Sequence, residues 1–113
     1  MANSFVNKKA DLTSTSATPL YTVPDAATAI VKSILVSEDS GNADTITVTI
    51  TDTSDAVFSL FKTKAISANA TTELLTAPLV LQQKEVLKVT AATANRLHVV
   101  LSALESKPRE VIT

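Results

Sequence analysis

Thr45-Ile46-Thr47-Val48-Thr49-Ile50-Thr51 alternates strictly between aliphatic and hydroxylated side chains. In a strand, Ile46, Val48 and Ile50 share one face and the Thr residues the other. A helix would scatter the same residues around its cylinder and leave no apolar stripe. Thr is β-branched and polar, which suits the wet face of a sheet. The stretch therefore predicts a strand with one buried and one solvated face.

Further strands follow on both sides at short intervals. Leu20–Val23 is one, ended by Pro24, which cannot donate to a ladder. Thr28–Ser37 carries Ile30, Ile34 and Val36 on one alternation and Val31 and Leu35 on the other. A strand apolar on both faces is expected at the centre of a sheet or covered on each side. Ala56–Lys62, Thr71–Leu75, Leu79–Leu81, Glu85–Thr90 and Arg96–Leu104 complete a set of about eight short strands, the mark of a sandwich or barrel. Between them lie turn signals. Glu38–Asp44 holds the single Gly of the chain and predicts a hairpin loop. Asp52–Asp55 and Gln82–Lys84 predict reversals. So does Ala91–Asn95, whose Asn tolerates positive φ better than most residues. The fold class expected is all-β: an antiparallel β-sandwich, jelly-roll or immunoglobulin-like.

At 113 residues the chain fits one domain, and its 45% hydrophobic content can supply a core. Only 4% of residues are aromatic, so Val, Ile, Leu and Ala must build it, with Phe58 and Phe61 expected among them. Residues 1–17 are polar, with Phe5, Val6 and Leu12 as spaced apolar anchors, and cannot by themselves offset the entropy of ordering. They predict an extended N-terminal arm, followed by a sandwich over 18–105 and a C-terminal tail over 106–113. The arm either folds back on its own domain or is clamped by a neighbouring subunit. The second is the sharper expectation, with Phe5, Val6, Lys8, Lys9 and Leu12 as candidate interface residues.

Several function classes find no support. Without Cys there is neither a disulfide framework nor a thiolate metal site. No apolar run approaches the ~20 residues of a membrane-spanning helix, and the first residues lack the apolar core of a secretion signal. The expectation is a soluble protein, without a membrane partner and made without a cleaved leader. Ten Lys and Arg against eleven Asp and Glu give a net charge of −1. Lys8-Lys9 and Lys107 with Arg109 sit near the ends, where solvated termini are a better account than phosphate binding.

Chemistry is sparse too. His98 is the only histidine, and it shares a strand face with Val100 and Ser102. No nucleophile-elbow glycines accompany any Ser, so a catalytic triad is not expected. Glu38, Asp39, Asn42 and Asp44 are oxygen donors of the kind Ca²⁺ prefers, but they lack EF-hand spacing. A solvated turn explains them better. One Gly also excludes a phosphate-cradling loop. No enzyme activity, metal or cofactor is expected.

Leu20-Tyr21-Thr22-Val23-Pro24 followed by Ala29–Val36 resembles the start of small β-sandwich structural proteins of tailed bacteriophages. Leu79-Val80-Leu81, Glu85–Val89 and Leu97–Ser102 with Glu105 are similar in order and spacing, so the resemblance covers residues 18–105. It implies a virion component: a capsid decoration (cement) protein, or a neck, tail or fibre-attachment component. The partners implied are the major capsid protein or other virion subunits, and further copies of the chain. Such a protein would be made in the host cytoplasm and end in the virion. An alternative from another class is a glycan- or Ca²⁺-binding adhesion module.

Overall fold

The computed structural model describes residues 2–108, and all of its regular structure is β. Nine strands follow in order: β1 (Ala2–Asp11), β2 (Thr18–Thr22), β3 (Thr28–Glu38), β4 (Asp44–Thr51), β5 (Val57–Ile66), β6 (Thr71–Glu73), β7 (Leu79–Leu81), β8 (Val86–Ala91) and β9 (Leu97–Lys107). They form two antiparallel sheets. Sheet I runs β1-β9-β3, with β6 and β7 side by side along the far edge of β3; sheet II runs β2-β8-β4-β5. First strand pairs with last, second with second-to-last, third with β6 and β7, and β4 with β5. This nested pairing is one long hairpin rolled so that β9 also meets β3 and β8 meets β4. The winding is that of a jelly roll. Of the two sandwich topologies the sequence allows, the strand order selects this one.

The core lies between the sheets. Ile46, Val48 and Ile50 face inward from β4 beside Leu87 and Val89 of β8. Opposite them stand Val31, Ile34 and Val36 of β3 and Val99 and Leu101 of β9. Full burial of each such side chain contributes roughly 1.5–3 kcal/mol, so this aliphatic layer supplies most of the drive to fold.

Several expectations are resolved or changed. Of the two possibilities for the N-terminal arm, the structure shows it folded back on its own domain: β1 pairs with β9 in unbroken register from Ala2–Lys107 to Asp11–His98. The polar segment becomes ordered because its backbone completes a sheet. Ser106 and Lys107, expected in a tail, end β9, while 109–113 lie outside the described residues. Glu38–Asp44 is not a hairpin loop, since it carries the chain from sheet I to sheet II. The two faces of β3 exchange midway. A register shift between Val31 and Ser33 moves the inward alternation from Ala29 and Val31 to Ile34 and Val36. Finally, Phe58 is 55% exposed and Phe61 only half-buried. Both face inward opposite Ile50 and Val48. Phe58 stays exposed, whereas Phe61 packs against the core beside Leu74–Pro78, the gap between β6 and β7, strands of three residues each.

Candidate functional site

Register, not sequence proximity, assembles the most distinctive surface. On the outer face of sheet I, Phe5 stands opposite Leu104, Leu104 opposite Ile30, and Ile30 opposite Val80. Directly opposed residues in antiparallel strands share a face with Cβ atoms about 5 Å apart, so these four form one apolar row across β1, β9, β3 and β7. Phe5 is 84% exposed and Val80 53%, while Leu104 and Ile30 are half-buried. A second row sets Val100 beside Leu35, flanked by Lys9 and Glu73. Between the rows, Asn7, Ser102 and Ser33 are polar. A shallow depression of about 270 Å³ opens here, lined by Phe5, Val6, Asn7, Lys32, Ser102 and Ala103.

The candidate interface residues are therefore dispersed. Phe5 lies in the apolar row, and Lys8 and Lys9 are exposed on β1. Val6 is half-buried and packs against the core. Leu12 is not available to a partner, being 1% exposed in the domain's own core. Its N–H donates to the Leu97 carbonyl, and its carbonyl accepts from Asn95, whose φ is +66°. Leu12 thus fastens the end of β1 to the turn before β9. Ile30, Val80 and Leu104 were not legible as site residues, because no local signal marks residues that meet only across strands.

The polar groups noted in the sequence hold the fold in place. His98 Nε2 lies 3.2 Å from Asp11 Oδ1, and Nδ1 lies 3.5 Å from Asp39 Oδ2. The single imidazole thus links β1 and the β3–β4 connection to β9. The two carboxylates face opposite nitrogens and do not converge on one point. Among the described residues, no three His, Cys, Asp or Glu side chains could together hold a metal ion.

Glu38 is buried at the end of β3. Its carboxylate accepts hydrogen bonds from the Ser40 N–H at 2.7 Å, the Gly41 N–H at 3.1 Å, the Asn69 N–H at 3.0 Å and the Ser40 hydroxyl. Burial alone would raise its pKa, but these donors outweigh burial and bring it down to about 2. Asp44, at the far end of the same crossing, accepts from the Thr93 N–H at 3.1 Å. Two of the four oxygen donors suggested for Ca²⁺ are thus engaged in shaping the chain.

Glu73 plays a comparable part at the broken edge. It accepts from the Ser33 hydroxyl and from the N–H groups of Ile34 at 2.8 Å and Leu75 at 3.3 Å. Burial pushes its pKa up and the hydrogen bonds push it further down, for a net lowering. Between the sheets, the Tyr21 hydroxyl donates to Glu105 Oε2 at 2.6 Å. Burial first, then the neighbouring Glu105 carboxylate, raises the Tyr21 pKa well above its usual value. This bond joins β2 of sheet II to β9 of sheet I.

Compared with known proteins, the chain matches no family model, and no curated protein aligns with it. The site must therefore be interpreted from its own geometry.

Proposed function

We propose that this chain is a non-enzymatic structural protein of a tailed-phage virion: a decoration protein that binds the outside of the capsid and stabilises it. The observation that carries the proposal is the Phe5–Leu104–Ile30–Val80 row, which runs across four strands of sheet I with Phe5 and Val80 exposed. Contiguous apolar surface rimmed by polar residues characterises protein interaction sites. Sheet positions hold it with little entropy left to lose on docking. The resemblance of residues 18–105 to phage β-sandwich proteins supplies the partner class, namely the major capsid protein or another virion subunit. On a shell that repeats one surface many times, weak contacts gain from multivalency when the binder is oligomeric.

The test is an electron-microscopy map of the particle combined with occupancy measurements. Density for the chain is expected over the shell in many copies. Phe5→Asp and Val80→Asp should each lower occupancy at least about tenfold, equivalent to about 1.4 kcal/mol, whereas Thr49→Asp on sheet II should not. A few copies at one vertex would move the protein to the neck or tail. Absence from particles would discard the virion assignment.

A further inference from the structure

Every open sandwich has edge strands whose backbone groups invite pairing, and natural proteins block them with bulges, Lys, Pro or brevity. Three edges here are blocked. β5 carries Lys62 and Lys64, two register shifts against β4 and a Thr63 φ of +50°. β2 has five residues, contains Pro19 and shifts register beside it. β6 and β7 are three residues each. The fourth edge, β1, carries Lys8 and Lys9 but has neither Pro nor bulge, and is ten residues long and regular throughout.

The direction of its free groups follows from the ladder. Leu12 N–H bonds to the Leu97 carbonyl at 3.0 Å, one step beyond the Asp11–His98 pair. Antiparallel ladders alternate bonded and non-bonded pairs, so even-numbered residues of β1 point their backbone groups at β9. Odd-numbered residues point theirs at solvent. The Asp11 carbonyl is already taken by the Thr13 N–H. That leaves Asn3, Phe5, Asn7 and Lys9 with free donors and acceptors.

We infer that β1 is the interface for a second copy of this chain, whose own β1 adds antiparallel about a two-fold axis at Val6. This register pairs Asn3 with Lys9 and Phe5 with Asn7, using only the free groups. Lys8 falls opposite Ser4, so no like charges oppose each other across the axis. The register one step on would need the occupied Asp11 carbonyl, and the step after that sets Lys8 against Lys8. The faces fit as well. The partner copy's phenyl ring stands opposite Asn7, at the rim of the depression lined by Asn7, Ser102 and Lys32. The contact is isologous, each copy presenting the same ring and the same depression. Pairing merges two copies of sheet I into one continuous sheet and sets their apolar rows side by side. It stands apart from the virion proposal, since a dimer that ignores particles would leave it intact.

The absence of cysteine gives a clean test on the purified full chain. Val6 pairs with Val6 across the axis as a non-hydrogen-bonded pair, with Cα atoms about 4.5 Å apart, within disulfide range. Val6→Cys should form a covalent dimer under mild oxidation, at least about tenfold faster than Ser4→Cys. The wild type should sediment as a dimer at micromolar concentration. Asn7→Pro removes a solvent-facing donor without touching the β9 ladder, and should sediment as a monomer with an unchanged circular-dichroism spectrum. A monomeric wild type, equal crosslinking of Val6→Cys and Ser4→Cys, or a folded Asn7→Pro variant that still dimerises would each overturn the inference.

Discussion

The two outer faces of the sandwich rest on one shared core yet present opposite chemistry. On sheet II, Ser59, Thr49, Lys88 and Pro19 line up across four strands, and Thr47 stands opposite Thr90. Sheet I has Phe5, Leu104, Ile30 and Val80 in the equivalent arrangement. Folding requires only the inner faces to be apolar, and the hydroxylated sheet II face shows that a wet exterior suffices. The apolar row on sheet I is therefore more than folding alone demands, which is why the proposed interfaces are placed on that sheet.

If so, inner and outer residues of the same strand must differ sharply in their contribution to stability. Leu101→Ala, at a fully buried position of β9, is expected to cost about 2–5 kcal/mol in urea denaturation. Under conditions where the chain is monomeric, Leu104→Ala and Thr49→Ala should each fall within about 0.5 kcal/mol of wild type. A Leu104 penalty near that of Leu101 would make the outer row part of the monomer's own core and end the contrast.

The ties between the sheets sharpen it further. Tyr21→Phe removes the donor that meets Glu105, a carboxylate only 7% exposed. A loss of about 1–3 kcal/mol is expected from leaving a buried polar group unpaired. A neutral result would show that Glu105 finds another partner.

The crossing at Glu38 gives a pH signature. Its folded pKa is depressed from 4.5 to about 2. Its contribution is therefore complete above the unfolded value and is lost as the pH falls through about 2. Wild type should lose stability across that interval by more than Glu38→Gln, in which the amide does not titrate. Parallel pH profiles would show that the four donors do not depend on the charge.

Much of this architecture was legible in the sequence. Thr45–Thr51 declared its two faces because β4 is regular over Ile46–Ile50 and lies beneath a complete second layer. β1 was hidden for the opposite reason. Its inward positions are Ser4, Val6, Lys8 and Ala10, of which only Val6 and Ala10 reach the core. An edge strand with one neighbour needs little apolar patterning, so an alternation test reads it as a loose arm. In β3 the register shift at Lys32 changed which parity faces inward, and a periodicity argument assumes that parity persists. Phe58 and Phe61 were assigned to the core by side-chain type, which fits Phe61 at its margin but not Phe58. Phe5 was singled out from sequence, but the row it belongs to draws on positions up to 99 residues apart, paired only by the register of three ladders.

The rolled hairpin also orders events in time. β9 occupies the middle of sheet I, between the first strand and the third, although it is synthesised after every other strand. During translation β1 must wait, unpaired, until residues 97–107 have emerged. The strand that is an exposed edge in the finished molecule is thus a bare ribbon while the chain is being made.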